Sequence, residues 1–454
     1  VVTFILTRPL PVAMPCPHAP SGGRDGDGEH DGGRNRRGLD RRDFVKAALA
    51  IGGTSALSAC IQRQGPPSAR HGDPETTPRR QFAWNDYIPR DAHGNTVLPN
   101  HQLTLFFDYV GGGPTDAERE QVESALESVE RAYEWGNGDA NPYSAQGATV
   151  DGVLFTLGWS PGYFEEYYGE QPDVDLPHPE DTLAEIDGDP EVADPHDAAL
   201  VMMSDNVPVL LSVEQALRGN VGELNGVAVE DDFTGVLAVR ERRTGFIGTG
   251  LPRQELDNED IPERSPQAMG WKSGFAGNQA TEDGVAIESG PFAGGTTQHI
   301  SELDIHMDRW YDNDRETQVD LMFSPEHTTE QTGDVGEFLA SDSGVTRDIV
   351  DEIESDAEEG RVGHTQKVAA ARNDDFEPRI LRRSEGVSTS HDGALNFTSI
   401  QRGIEAFTEV RKAMNEDHDV PDEENGIVDY LTAHARGNYL VPPRELRALP
   451  PARP

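Results

Sequence analysis

A histidine and an arginine eighteen residues apart are the two side chains best placed to do chemistry together. His364 opens a run of small and apolar residues, and Arg382 lies in the basic cluster that closes it. A neutral imidazole can coordinate a metal ion, and a guanidinium can stabilise negative charge that develops on a bound ligand. A surface histidine followed by a basic turn is the alternative, and this segment alone leaves both interpretations open.

The N-terminal half of the chain predicts alternating strands and helices. Leu103–Val110 is an apolar strand that ends in three glycines, and the capping-box spacing of Thr115 and Glu118 begins a helix. The acidic, proline-rich insert Gln171–Asp197 is predicted to be a surface loop. The remaining predicted elements are strands at Val153–Leu157, Ala198–Met203 and Gly235–Arg240 and a helix at Pro208–Leu217. The order strand, helix, strand, strand, helix, strand is that of a ferredoxin-like unit.

The C-terminal half follows a polar boundary at Gln254–Gln267. Apolar residues at helical spacing predict an amphipathic helix at Ile404–Met414, and the apolar pattern of Ala394–Ile400 predicts a strand. Ile427–Leu431 is predicted to begin a last helix.

Two glycine-rich blocks lie between this boundary and the histidine. The first, Met269–Gly274, contains Ser273, and the second is Glu288–Thr296. In order and spacing, these blocks and the later segment from His364 to Arg382 resemble the dye-decolourising (Dyp-type) peroxidases. The closing segment at 438–444 is also similar to that family, so the resemblance runs from residue 103 to residue 444.

The resemblance implies an α+β fold of two ferredoxin-like units with antiparallel sheets. The N-terminal unit would span residues 101–255, and the C-terminal, haem-binding unit would span residues 256–448. The second glycine-rich block leads into a long strand in that family, which here would be Thr297–Trp310.

The resemblance also implies haem b as the cofactor, hydrogen peroxide as the oxidant and a reductant that the sequence does not identify. His364 would be the axial ligand of the iron, and Arg382 would reach the opposite face. No Cys-x-x-Cys-His sequence occurs, so the haem would be held non-covalently. Ser273 stands where the family has an aspartate, and a hydroxyl does not carry a proton at neutral pH as a carboxylate does. Asp304 or Asp308 is the alternative proton carrier.

The other imidazole nitrogen of an axial histidine normally bonds to an acceptor that orients the ring. Family spacing puts this acceptor near Asn425, with Asp422, Glu424 and Asp429 as neighbours. An asparagine in this place would raise the reduction potential of the iron relative to a carboxylate. The serine and the asparagine together keep a second function open, that of a haem-binding or haem-handling protein with weak or no peroxidase activity.

The first hundred residues have the layout of an export signal and a tether. Arg41 and Arg42 precede a short apolar stretch, as in twin-arginine signals, and Leu57–Cys60 looks like a lipobox whose cysteine is lipidated. Residues 1–60 are therefore predicted to be a leader and residues 61–100 a flexible tether. The predicted protein is an extracytoplasmic, membrane-anchored lipoprotein of haloarchaeal-like type. A solute-binding lipoprotein would fit the anchor too, but it leaves the peroxidase-like blocks unexplained.

The charge balance is strongly acidic. The 454 residues include 82 Asp and Glu against 38 Lys and Arg, which gives a formal net charge of −44. Such a surface repels nucleic acid and anionic membranes. Its self-repulsion is screened at high ionic strength, so the composition indicates a protein adapted to salt.

Three further histidines, His299, His306 and His391, match no compact metal-binding spacing, and solvent-facing histidines on a strand are an adequate explanation for them. Asn396 begins a glycan-acceptor triplet but lies in a predicted core strand, so modification there is not expected.

Overall fold

The computed structural model describes residues 69–136, 150–186, 188–256, 258–275, 277–388 and 394–454. Its strands are β1 His101–Tyr109, β2 Leu154–Trp159, β3 Ala198–Ser204, β4 Glu223–Leu224, β5 Val227–Ala228, β6 Leu237–Phe246, β7 Thr296–Ile305, β8 Leu381–Ser388, β9 Ala394–Gln401 and β10 Leu431–Val441. Its α-helices are α1 Asp116–Ala132, α2 Pro161–Tyr168, α3 Pro179–Ile186, α4 Val207–Leu217, α5 Leu251–Leu256, α6 Met307–Asp312, α7 Arg315–Met322, α8 Thr329–Thr332, α9 Arg347–Asp351, α10 Ile353–Glu359, α11 His364–Ala370 and α12 Ile404–Asn415.

Eight strands close into one antiparallel barrel in the order β1-β3-β2-β10-β7-β9-β8-β6. Within it, β6-β1-β3-β2 and β10-β7-β9-β8 repeat the same order of first, second, third and fourth strands. Each half is therefore a ferredoxin-like unit, and the predicted α+β fold with two such units is confirmed. The units join where β2 pairs with β10 and where β6 pairs with β8, while β4 and β5 form a separate hairpin.

The first unit shows how local sequence produces these elements. Thr115 caps α1 by accepting a hydrogen bond from the backbone N–H of Glu118, whose carboxylate accepts one from the backbone N–H of Thr115. Val122, Leu126 and Val129 lie on one face of the helix and are buried in the large core of this unit. The helix predicted from the capping box and the apolar spacing is confirmed.

Three predicted elements of the chain are wrong. The insert Gln171–Asp197 is not only a loop, because it contains α3, whose Leu183 is fully buried. The strand predicted to reach Trp310 ends at Ile305, and Trp310 lies in α6, fully buried in a second apolar cluster. Ile427–Leu431 does not begin a helix beyond one short 3-10 turn, because the chain continues directly into β10.

The segment that precedes β1 is folded against the barrel from residue 69 onwards. Phe82 and Trp84 have no exposed surface, and the Trp84 indole donates a hydrogen bond of 2.8 Å to the carbonyl of Gln81. This part of the predicted tether is therefore a component of the core.

The predicted signal residues Arg41, Arg42 and Cys60 lie outside the described residues. Within the described ranges, no helix combines the length and apolar character needed to cross a bilayer.

Candidate functional site

A large cavity lies in the second ferredoxin-like unit, between the sheet and the helices α11 and α12. It encloses about 1620 Å³ of space, including the part open to solvent. Its walls come from the loop 267–278, from β7, β9 and β10, from the two helices and from the segment that joins α11 to β8. Apolar side chains such as Phe275, Leu303, Phe397, Val410 and Met414 form much of the surface. The cavity can therefore take a large, mostly apolar ligand.

The charge of the cavity is opposite to that of the chain. No Asp or Glu lines it among the described residues, although the chain contains 82 of them. Six basic side chains line it instead, and these are Lys272, Arg372, Arg379, Arg382, Arg411 and Arg436. Arg411 and Arg436 are buried, whereas Lys272 and Arg379 are exposed. A cavity of this kind attracts anionic groups, because charges of one sign in a low-dielectric cleft focus the field.

His364 is held at this cavity by the backbone around it. It is the first residue of α11, and the preceding Gly363 packs so closely on the end of α7 that an added Cβ would lie 2.2 Å from the carbonyl oxygen of Phe323. The Thr365 hydroxyl donates to the carbonyl of Met322 at 2.9 Å. The buried Gln366 side chain accepts from the Gly363 N–H at 2.8 Å. The histidine is therefore fixed by its neighbours on both sides.

The imidazole of His364 is neutral at ordinary pH. Burial, together with the positive charges of Arg382, Lys367 and Arg411, lowers the pKa of His364 to about 3. The exposed part of the ring faces the cavity, which the protein encloses, so the ring is desolvated although some of its surface is accessible. A neutral imidazole is the form that binds a metal.

Arg382 and Arg383 are neighbours in β8, yet their side chains lie on opposite sides of the strand. Arg382 lines the cavity, and its backbone N–H donates to Oε1 of Gln279 at 2.7 Å. Arg383 is buried on the other side, where it donates to the carbonyl of Phe82 at 2.7 Å and pairs with Glu282. Alternation along a strand explains the difference. The sequence shows a basic cluster, and the strand makes one arginine a cavity residue and the other a core residue.

Ser273 also lines the cavity, at an exposed position. Neither alternative proton carrier does so. Asp304 pairs with His434, whose Nε2 lies 2.5 Å from Asp304 Oδ2, and Asp308 is exposed on α6. The proposal that Asp304 or Asp308 reaches into the site is therefore wrong for this structure.

Asn425, the residue near the predicted acceptor position, is hydrogen-bonded to groups other than His364. Asn425 Oδ1 accepts a hydrogen bond of 2.5 Å from Lys367 Nζ, and Asn425 Nδ2 donates to the carbonyl of Glu416 at 2.9 Å. No hydrogen bond to another described residue contributes to the pKa of the His364 ring. The hydrogen bonds of the Asn425 side chain therefore go to Lys367 and Glu416 and not to His364.

The three carboxylates considered beside Asn425 are also directed elsewhere. Glu424 pairs with Arg361 and Asp429 pairs with Arg309. Asp422 is exposed in a short 3-10 helix. None of them supplies a carboxylate to His364.

The other histidines have structural partners. The buried His299 is hydrogen-bonded to Asn438 and Ser301, at 2.8 and 2.7 Å, and its ring stacks on Phe407 with the centroids 3.6 Å apart. His306 is hydrogen-bonded to the Thr432 hydroxyl at 2.9 Å. Across the described ranges, no group of three or more His, Cys, Asp or Glu could hold a metal ion.

Two further positions raised by the sequence can be placed in part. His391 lies outside the described residues. Asn396, which begins the glycan-acceptor triplet, is buried, and its Nδ2 donates to the carbonyl of Thr244 at 2.7 Å.

Sequence reasoning missed Lys367, Arg411 and Arg436. Arg411 was within reach, because it lies four residues after Phe407 on α12 and so shares the buried face of that helix. Lys367 follows His364 by three residues and is one of only four lysines in the chain. Arg436 lies on β10, which the predicted last helix concealed.

Comparisons with known proteins give a family and a fold. A family model described as "Family of unknown function (DUF7405)" matches residues 99–443. No curated protein matches the chain. Among solved structures, a putative Dyp-type peroxidase from Shewanella oneidensis superposes with a TM-score of 0.50 at 14% identity, covering 80% of this chain and 98% of that one. At this identity the likeness establishes the fold and nothing finer.

Two further solved structures are similar to a comparable degree. A dye-decolorizing protein from V. cholerae has 12% identity and a TM-score of 0.49, and a dye-decolorizing peroxidase from Bacteroides thetaiotaomicron has 14% identity and the same TM-score. Each match covers 80% of this chain and 98% of the other chain.

Proposed function

We propose that this chain, which belongs to a family of unknown function, DUF7405, is a haem-dependent peroxidase of the Dyp type. It would bind haem b and reduce hydrogen peroxide while oxidising a donor that is not identified. The observation that carries this proposal is a neutral His364 and a cationic Arg382 on the wall of one large cavity without carboxylates among its described lining residues.

The residues of the cavity fit haem. His364 would coordinate the iron through its neutral imidazole, and the apolar wall would contact the porphyrin. The buried cations Arg411 and Arg436 suit the two carboxylates of haem b. Bound haem would supply the iron at which peroxide reacts. The chain contains no Cys-x-x-Cys-His sequence, so the haem would be held without thioether bonds.

Arg382 would stabilise negative charge on peroxide as its O–O bond breaks. Breaking that bond also needs a group that moves a proton between the two oxygens, and a positioned acid–base group contributes about 10²–10⁴-fold to such a rate. No carboxylate lines the described part of the cavity, and Ser273 can orient water but is a poor proton carrier. The peroxidase would therefore be slow by comparison with one that has an aspartate at position 273.

The same observation favours a second candidate function. A cavity that holds haem and lacks a proton carrier suits a protein that binds or transfers haem. The two functions share the ligand and differ in their reaction with peroxide.

Haem binding is tested by titrating the purified protein with haem b and following the Soret band. We expect one haem per chain. His364→Ala should lower the affinity by more than the about 10–100-fold typical of losing an outer partner of a metal ligand. His306→Ala is the matched control, because His306 is hydrogen-bonded to Thr432 and does not line the cavity. Native absorption in His364→Ala would exclude His364 as the ligand.

Stopped-flow mixing with hydrogen peroxide separates the two functions. A slow reaction in the native protein, accelerated by Ser273→Asp and slowed further by Arg382→Leu, supports the peroxidase. Arg379→Leu controls for loss of charge, since the Arg379 side chain is exposed and donates to the carbonyl of Ala371 at 2.6 Å. The order of the rates matters more than their size, because effects within one catalytic unit are not additive. A haem-loaded protein that does not react with peroxide in any variant would support haem handling instead.

For the cellular location, we propose export by the twin-arginine route and lipid anchoring through Cys60. The support is the pair Arg41 and Arg42 followed by the sequence Leu57–Cys60. Cys60→Ser should release the protein from membranes or stop its processing, and unchanged membrane association would contradict the anchor. The acidic composition supports a salt-rich environment, in which the melting temperature should rise with salt concentration.

A further inference from the structure

Lys367 is a buried cation beside the proposed axial ligand. Its side chain is 2% exposed, and it lies three residues after His364 in α11, which places the two on neighbouring positions of one helix face. Gly426 lies against both residues. A Cβ added to it would be 3.4 Å from the Cα of His364 and 3.6 Å from the Cδ of Lys367. The lysine therefore occupies the same small region as the histidine.

The surroundings of Lys367 keep it in place and leave it charged. Its ammonium donates to the carbonyl of Glu416 at 2.8 Å and to Asn425 Oδ1 at 2.5 Å, and both acceptors are neutral. Burial lowers the pKa of Lys367 to about 8, while the carboxylates of Glu416 and Asp417 raise it and Arg411 lowers it. The side chain is thus mostly protonated at pH 7.

The position of Lys367 matters because a cation, and not a carboxylate, lies beside the proposed axial histidine. A carboxylate that accepts a hydrogen bond from an axial histidine makes the imidazole a stronger electron donor to the metal. Here Asn425, which precedes Gly426 in that loop, is bonded to the lysine, and the charged groups that shift the pKa of His364 are the cations Arg382, Lys367 and Arg411. A nearby positive charge favours the reduced state of a metal centre, because reduction lowers the positive charge of that centre.

We propose that Lys367 acts through His364 to raise the reduction potential of the bound haem iron, in place of a carboxylate partner. This inference rests on the proposed function, since it needs haem on His364. Lys367 would be a positioning residue and would not touch the reacting atoms. Its hydrogen bonds to Glu416 and Asn425 also tie α11 to the following loop, and a purely structural role is the outcome that the experiment must separate.

The experiment is a spectroelectrochemical titration of the ferric/ferrous couple in the haem-loaded, full-length protein at pH 7. Lys367→Gln removes the charge and keeps a hydrogen-bond donor. Removing a unit charge at a distance on the order of 10 Å, at an effective dielectric constant of about 20, changes a one-electron equilibrium about tenfold. We therefore expect the midpoint potential to fall by about 59 mV, which is a tenfold change for one electron.

Two controls separate charge from structure. Lys367→Arg keeps the charge and should keep the native potential. Lys412→Gln removes the same charge from an exposed site on α12, where the side chain pairs with Glu185, and it should change the potential much less. A potential that is unchanged in Lys367→Gln, or that shifts equally in Lys412→Gln, would overturn the proposal. A fall of equal size in Lys367→Arg would show that the role is structural.

A second variant covers the case in which Lys367→Gln does not fold or bind haem. Asn425→Asp keeps the lysine and the shape of its partner and adds a negative charge beside the ammonium, so it should also lower the potential. An unchanged potential in Asn425→Asp would then overturn the proposal. If the native protein binds no haem on His364, the proposed function itself fails, and that result is visible in the Soret titration before any potential is measured.

Discussion

Two buried arginines outside the cavity, Arg447 and Arg243, are paired with carboxylates, whereas no Asp or Glu lines the described wall of the cavity. The guanidinium of Arg447 donates to Glu130 at 2.5 Å and to Glu123 at 2.8 Å, and Arg243 contacts Asp194 at 2.5 Å. Burial alone would lower the pKa of Arg447 and Arg243, but these carboxylates raise it above the usual value. At Lys367, which lies beside His364, burial prevails and the pKa falls.

These two arrangements give buried charge two different roles, one in stability and one in ligand binding. Arg447 is matched by groups of the chain itself, so its charge contributes to holding the C-terminal segment on α1. The described wall of the cavity contains six basic side chains and no Asp or Glu, so an anionic ligand would meet no acidic side chain there. In a chain of net charge −44, such a wall does not arise from average composition.

The largest effect is expected at Arg447, whose buried charge is matched by carboxylates. Arg447→Met should destabilise the protein by about 3 kcal/mol, the lower part of the range for breaking a buried pair, because Arg444 remains beside Glu130. Arg453→Met is the control, since the 72% exposed Arg453 pairs with Glu170 at the surface and should matter by less than about 1 kcal/mol. Urea denaturation measures both. Haem affinity should not change in either, and a large loss of affinity in Arg447→Met would mean that the two regions are not independent.

A smaller effect is expected from acid on the apoprotein. The pKa of His364 is about 3 when folded and 6.5 in the unfolded chain, so the unfolded state binds the extra proton first. Stability from this group is complete above pH 6.5 and is lost as the pH falls toward 3. Between pH 8 and pH 5 the loss is up to about 2 kcal/mol, because each pKa unit corresponds to about 1.4 kcal/mol.

His364→Gln removes that proton uptake, so its apoprotein should lose less stability than the native one over the same interval. Denaturation at pH 8 and pH 5 provides the measurement, with His306→Gln as the control that should follow the native protein. Identical losses in the native protein and His364→Gln would mean that water enters the cavity and solvates the ring.

The sequence could predict the fold where local signals agree with one another. Thr115 and Glu118 mark the start of α1, and the apolar positions of Ile404–Met414 predict a helix that the structure has at Ile404–Asn415. It failed at Ile427–Leu431, because so short an apolar run fits a strand as well as a helix. It also failed for α3, whose polar composition hides one fully buried residue, Leu183.

At the site, the sequence supplied candidates but not their surroundings. His364, Arg382 and Ser273 line one cavity, as their chemistry requires, and their roles there stay predictions. Spacing could not show that Asn425 bonds to Lys367, because that contact joins α11 to a loop nearly sixty residues later. Nor could it show that the acidic chain keeps its described cavity wall free of carboxylates, which only the three-dimensional arrangement of the strands and helices determines.

The last effect, and the sharpest test of the comparison, concerns the ligand's own charge. If the cations of the cavity are directed at an anionic ligand, haem b should bind more tightly than its dimethyl ester, which has the same ring and iron but no carboxylates. A charge-assisted hydrogen bond contributes about 1.5–3 kcal/mol, so an ester that loses even one should bind about tenfold or more weakly. Arg411→Gln and Arg436→Gln should each reduce this preference, whereas Arg379→Gln, at an exposed position, should retain it. Soret titrations of the apoprotein with both ligands measure the preference directly. Equal affinities in the native protein would show that the carboxylates of haem are left in solvent and that the cations serve another purpose. A preference that survives both buried substitutions would assign it instead to Lys272, Arg372 or Arg382, the other cations of the same wall.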